Sequence, residues 1–107
     1  MLAVLLEFKV KPGAENKFVE YWEKTTDIIY NNFGSLGSKL HKADNGRFVA
    51  YAQWPSLEVY ESEQGWSEQN SIIREKMRAT LVSGKPAILN KLPLVSDLTK
   101  EKPCEIE

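Results

Sequence analysis

The run from Leu2 to Val10 constrains this chain more than any other segment. Leu2, Val4, Leu6, Phe8 and Val10 share one face of an extended strand, while Ala3, Leu5, Glu7 and Lys9 share the other. That second face is apolar at its start and charged at its end. A strand apolar on both faces over half its length belongs in the middle of a sheet, covered from both sides. The run has no basic residues ahead of it and is interrupted by Glu7 and Lys9, which sets it apart from the apolar region of a signal peptide. Lys11-Pro12-Gly13 ends the strand.

A helix is predicted next, from about Ala14 to Asn31. Phe18, Trp22, Ile29 and Phe33 recur near a 3.6-residue period, and Val19 and Ile28 widen the stripe. Glu15, Lys17, Glu20, Glu23 and Lys24 occupy much of the remaining surface, and Asn31, Asn32 and Gly34 supply a stop. Ser35 to Lys42 and Arg47 to Trp54 read as two strands joined at Ala43-Asp44-Asn45-Gly46, because Asn-Gly tolerates the positive φ angles of a tight hairpin. On the second strand Phe48, Ala50, Ala52 and Trp54 face one way, and Val49, Tyr51 and Gln53 the other. Pro55 ends it, and Ser56 is placed to cap a helix. Leu57 to Val82 has a helical pattern broken near Gly65. Leu57 and Tyr60 suit a short first helix, and Trp66, Ile73, Met77 and Leu81 a second. A last strand is predicted from Leu89 to Leu98, with Pro93 marking an edge. Thr99 to Glu107 is charged and reads as a polar tail behind a single domain of residues 1–98.

The order β-α-β-β-α-β defines an α+β, ferredoxin-like fold with a four-stranded antiparallel sheet. Helices on one face leave the other uncovered, and Leu5, Val49, Tyr51 and Gln53 fall on that open side. A second copy of the same sheet is the simplest cover, since about 800 Å² per partner makes a stable interface. These four residues are the expected homodimer contacts.

Composition excludes several functions. Lys and Arg number 14 and Asp and Glu 15, so no basic face for nucleic acid is implied. No apolar run approaches the ~18 residues of a membrane span. Cys104 is the only cysteine and cannot form an internal disulfide, which fits a cytoplasmic chain. With one histidine and one cysteine there is no Cys/His zinc site, and no metal is expected. Neither a Gly-rich phosphate loop nor a nucleophile elbow occurs.

Val10-Lys11-Pro12-Gly13 ahead of an amphipathic helix, and Tyr51-Ala52-Gln53-Trp54-Pro55-Ser56 closing a hairpin, resemble the antibiotic biosynthesis monooxygenase family. The stretch Gly34-Ser35-Leu36-Gly37-Ser38-Lys39-Leu40-His41-Lys42 is similar to the second strand of one branch of it. The resemblance runs from about Leu2 to Leu98, and the hairpin with Trp54 and Pro-Ser is its most specific part. It implies a dimeric α/β barrel in which two sheets pack face to face. It also implies, for members that oxidise polyketide-like aromatic compounds with molecular oxygen, chemistry without metal or flavin, so no cofactor is expected. Other relatives degrade haem, which takes an axial ligand, most often histidine, on the helical segment over the pocket. No histidine occurs between Leu57 and Leu81, and Leu5, Leu6 and Glu7 stand where those relatives carry an asparagine. Haem degradation is not expected.

A cofactor-free oxygenase needs a substrate that forms an electron-rich carbanion or phenolate. The protein supplies a dry cavity, a base and stabilisation of the developing oxyanion. His41 is the only side chain whose unperturbed pKa lies near neutrality, which makes it the candidate catalytic base or proton shuttle. The competing reading is a half-exposed strand histidine beside a hairpin. Trp54, Trp66 and Tyr60 are candidates for binding a substrate, Trp66 and Tyr60 from a broken helical segment that could lie over a pocket. For each of them packing between helix and sheet is the alternative. The expected ligand is a small, largely apolar or aromatic molecule. The expected function is a cofactor-independent monooxygenase acting on an activated aromatic or quinol-like compound. The alternative is a non-catalytic dimeric module that binds a ligand or partner.

Overall fold

The computed structural model of the chain describes residues 1–105; residues 106 and 107, the end of the expected polar tail, lie outside the described residues. The elements are β1 (Leu2–Lys9), α1 (Glu15–Phe33), β2 (Ser38–Lys42), β3 (Arg47–Trp54), α2 (Leu57–Glu61), α3 (Glu68–Arg78) and β4 (Ala87–Pro93). The strands pair antiparallel in the order β2-β3-β1-β4, which is the ferredoxin-like α+β arrangement expected from the sequence. β1 lies inside the sheet, as its two-sided apolar pattern requires.

The pairing of β1 with β3 sets Leu2 opposite Trp54, Val4 opposite Ala52 and Phe8 opposite Phe48. Directly opposed residues share a face, so the large apolar side chains of both strands collect on the helix side. Phe18 of α1, fully buried, packs between Phe8 and Phe48 with ring centres 5.2 and 5.0 Å away. Met77 and Leu81 complete that cluster. A second cluster joins Leu2, Val4 and Trp54 to Ile29, Phe33 and Tyr60. Leu6 touches both clusters, and the space above it becomes the site described below.

The hairpin between β2 and β3 turns through Asn45 (φ 55°) and Gly46 (φ 72°). Ser56 caps α2 by accepting the Val59 N–H at 3.2 Å, and Ser67 caps α3 by accepting the Asn70 N–H at 3.1 Å. Gly65, at φ 79°, lies in the break between these helices.

Several boundaries differ from expectation. α3 is shorter than the pattern to Val82 suggests, with Trp66 ahead of it and Leu81 beyond it, bridged to Val10. α1 runs on to Phe33 and stops where Gly34 adopts the left-handed conformation (φ 80°, ψ 15°). β2 begins at Ser38 rather than Ser35, because Gly37 turns to φ 93° and its N–H is taken by Ser35 Oγ at 2.8 Å. Leu36 and Gly37 still bond to Gln53, so this segment stays tied to β3 without being regular strand. β4 spans Ala87–Pro93 instead of Leu89 to Leu98. It starts directly after Pro86 and ends at Pro93; beyond that the Leu94 N–H bonds the Met1 carbonyl at 2.8 Å. Val95 and Leu98, 97% and 79% exposed, lie outside the ladder.

β4 is an edge strand carrying a bulge. Leu5 pairs with Asn90 but Leu6 pairs with Ile88, leaving Leu89 extra. The shift puts Ile88 on the helix side with Leu6, and Lys91 there with Val4. On the opposite face lie Leu5, Val49, Tyr51 and Gln53, each half-buried. Among the described residues no helix is long and apolar enough to cross a membrane.

Candidate functional site

A cavity of about 310 Å³ lies between the helix side of the sheet and the helices. Its sheet wall is Val4, Leu6 and Phe8 from β1 with Ala52 and Trp54 from β3. Trp22, Thr25 and Ile29 of α1, Tyr60 of α2, Met77 of α3 and Ile88 of β4 form the other sides, and Trp66 comes from the α2–α3 connection. The volume sits at the lower end of the roughly 300–1,000 Å³ typical of small-molecule sites. The lining is mostly hydrocarbon and aromatic. A more open depression of about 350 Å³ between α1 and β2 shares Trp22 and Ser38 with it.

The aromatic groups brace one another. The Tyr60 ring meets Trp54 edge-on at 5.3 Å, and Trp66 leans on Phe33 at 5.1 Å. The Arg74 guanidinium lies 4.3 Å from the centre of the Trp66 ring, and Lys91 Nζ 5.3 Å from that of Tyr60.

Polar groups enter the cavity at a few points. Thr25 is 4% exposed, on the buried stripe of α1, and its Oγ1 has no hydrogen-bond partner among the described residues. Ser38 Oγ is in the same state, as are Arg74 Nε and Arg78 Nε. Arg74 Nε is 3.9 Å from Glu75 Oε1, too long for a hydrogen bond. A buried polar group left unpaired costs about 1–3 kcal/mol. All four such atoms among the described residues belong to residues that line this one cavity.

Two ionisable groups are perturbed here. Partial burial pushes the Tyr60 phenol above its ordinary pKa, and the charges of Glu63 and Glu61 add to this, so it is held as a hydrogen-bond donor. Glu63, a lining residue, is exposed as a whole, but its carboxyl is partly desolvated and its pKa is raised. Arg74 and Arg78 act in the opposite sense and do not cancel the effect of burial. A raised carboxylate in an apolar cleft is a proton acceptor stronger than an ordinary glutamate.

The three aromatic candidates, Trp54, Tyr60 and Trp66, come together around this cavity. His41 does not. It pairs with Val49 on β2, is exposed, and lies on the sheet face away from the cavity. The physical reason is the period of two along a strand: Ser38 and Leu40 point to the helix side, so Lys39 and His41 point away. Leu5, Val49, Tyr51 and Gln53 share the face of His41. Sequence reasoning missed Thr25, Ser38, Glu63, Arg74 and Arg78. A signal existed for the arginines, since positions 74 and 78 flank Met77 on the apolar stripe of α3. Thr25 likewise continues the Phe18–Trp22–Ile29 stripe. Glu63 lies in a non-helical connection, where no periodicity points to it. Among the described residues no three His, Cys, Asp or Glu side chains cluster as metal ligands.

The topology and the cavity together define an α+β protein with a small-molecule-sized site between its sheet and its helices. The sequence profile of the antibiotic biosynthesis monooxygenase family matches residues 1–66, from β1 through Trp66, and the chain belongs to that family. The fold is shared with several solved structures. The monooxygenase from the ActVA-Orf6 gene of Streptomyces coelicolor, in complex with nanaomycin D, is 23% identical with a TM-score of 0.67, covering 92% of each chain. A variant of SnoaB, a cofactor-independent oxygenase from Streptomyces nogalater, is 14% identical with a TM-score of 0.70, covering 92% of this chain and 97% of that one. Rv0793 from Mycobacterium tuberculosis is 18% identical with a TM-score of 0.67, covering 92% and 98%. At such identities the likeness is one of fold. No curated protein sequence matches the chain.

Proposed function

We propose that this protein binds a planar, largely apolar molecule in the cavity and oxidises it as a cofactor-independent monooxygenase, acting on an activated aromatic or quinol-like compound. The observation that carries the reading is the pairing, in one aromatic-walled cavity, of a carboxylate of raised pKa with buried hydroxyls that lack partners. Glu63 removes a proton from the activated carbon or phenol of the substrate. Thr25, Ser38 and Tyr60 donate hydrogen bonds to the oxyanion that results. Trp54 and Trp66 hold the ring plane and keep water away. The electron-rich carbanion reduces molecular oxygen, and a carbon–oxygen bond forms to give a hydroperoxide. Breaking its O–O bond with loss of water leaves a carbonyl. Both hydrogens of the substrate methylene end in that water, and the substrate itself supplies all four electrons, so no outside reductant enters.

The working unit in this reading is a homodimer. Leu5, Val49, Tyr51 and Gln53 form the apolar and hydrogen-bonding centre of the face away from the helices, where a second sheet would cover them. His41 belongs with that surface.

The reading is tested by oxygen uptake with anthrone as probe. The expected result is one O₂ consumed per anthraquinone formed, with Glu63→Gln slower by about 10²-fold or more. Anthrone bound without oxygen uptake would instead make the protein a non-catalytic binding module.

A further inference from the structure

The charge on the cavity lining points to the chemical class of what it holds. Arg74, Arg78 and Lys85 line it, against the single carboxylate of Glu63, in a chain whose formal net charge is −1. Glu75, off the lining and largely exposed, approaches the two arginines only to 3.9 and 3.6 Å. The Nε of each guanidinium is buried without a hydrogen-bond partner. Arg74 and Arg78 are four residues apart on α3 and therefore neighbours on one helix face. Beside them the Trp66 ring, stacked with Arg74, offers a flat apolar surface.

We infer that the ligand of this cavity is an aromatic carboxylate, its ring against Trp66 and its carboxylate accepting hydrogen bonds from Arg74 and Arg78. A guanidinium and a carboxylate match in shape and charge, and the pair is strengthened in a cleft poor in water. Glu63 and the more distant Glu75 offset two of the three cations and leave one net positive charge for the ligand. The inference rests on the proposed small-molecule site and narrows its substrate class. In the oxygenase reading, the reacting carbon or phenol and the carboxylate are then different parts of one molecule. The arginines anchor the carboxylate, while Glu63 and the hydroxyls face the reacting part. The family match ends at residue 66, and both arginines lie beyond it on α3.

Isothermal titration calorimetry with 2-naphthoate and its neutral isostere 2-naphthamide tests it on the full chain. The wild-type protein is expected to bind the naphthoate at least about tenfold more tightly. In Arg74→Gln/Arg78→Gln the preference for naphthoate over naphthamide is expected to fall below about twofold. Should the double variant not fold, salt provides the second readout. Raising NaCl from about 50 to about 500 mM weakens naphthoate binding by the wild type and leaves naphthamide binding unchanged. Equal binding of the two by the wild type, at a site lost in Ala52→Trp, overturns the carboxylate inference and leaves the cavity as a neutral-ligand site. A preference that survives in the double variant overturns the assignment to these arginines. Binding of neither compound, or binding unaffected by filling the cavity with Ala52→Trp, overturns the inference and the small-molecule reading together.

Discussion

The guanidinium of Arg74 lies over the Trp66 ring at 4.3 Å and ties α3 to the connection that precedes it. Trp66 also leans on Phe33, at the end of α1. One ring thus joins two helices at the edge of the cavity. A cation over an aromatic face is worth about 0.5–2 kcal/mol, depending on how dry it is. Trp66→Ala is expected to lower the melting temperature and to weaken binding of an aromatic probe by about tenfold, ~1.4 kcal/mol. Trp66→Phe keeps a ring and most of both properties. Calorimetry on the two variants checks this, and equal losses in both would mean that the ring is not what matters.

The oxidation rate should follow the ionisation of Glu63. Its carboxyl has a pKa above the ordinary 4.5, and the basic form is the reactive one, so kcat/KM rises with pH and levels off above that raised value. Removing the positive charge of Arg74 or Arg78 takes away an effect that lowers the pKa. Either Arg→Gln variant therefore moves the rise to higher pH, which a pH–rate profile with anthrone would resolve.

Stability should carry the same sign. Because the folded pKa of Glu63 is raised, its ionisation is less favourable in the folded chain than in the unfolded one. Glu63→Gln should be slightly more stable than wild type at neutral pH, and the difference should vanish well below pH 4.5, where the carboxyl is neutral in both states. The effect is small because solvent screens an exposed side chain. Thermal melts at two pH values measure it.

Phe18 is the centre of the larger core cluster, fully buried between Phe8 and Phe48. Phe18→Ala leaves a ring-sized hole beneath α1 and should cost about 3–5 kcal/mol. Urea denaturation reads this directly, and a loss under about 1 kcal/mol would mean that the cluster collapses to refill the space.

The face away from the helices offers a separate experiment. Tyr51→Asp puts a charge where the proposed second sheet would sit, and monomer or aggregate is expected by analytical ultracentrifugation. An intact dimer from this variant would rule out that face as the interface. His41→Ala, on the same face, should leave binding of 2-naphthoate and 2-naphthamide in the cavity unchanged.

Much of this molecule is legible in its sequence, for local reasons. Alternation along Leu2–Val10 and Arg47–Trp54 dictates two strands, and the width of the apolar pattern on the first places it inside the sheet. Asn45-Gly46 names the hairpin, and Ser56 the start of α2, because φ preference and side-chain capping act over a few residues. The same alternation, carried through β2, already assigns His41 to the face opposite Ser38 and Leu40. Whether that face or the other holds the cavity does not follow from alternation.

That choice, and the make-up of the site, belong to the tertiary structure. Glu63, Arg74 and Arg78 come from a connection and a helix whose direction over the sheet is set by packing of α3 against α1. The raised pKa of Glu63 and the missing partners of Arg74 and Arg78 arise only when distant segments exclude water together. The bulge at Leu89, which turns Ile88 toward the cavity, likewise depends on pairing between the two ends of the chain. The sequence by itself determined the elements and their order, because these rest on short-range periodicity. The tertiary structure decided which side chains meet, because burial and charge are sums over residues far apart in the chain.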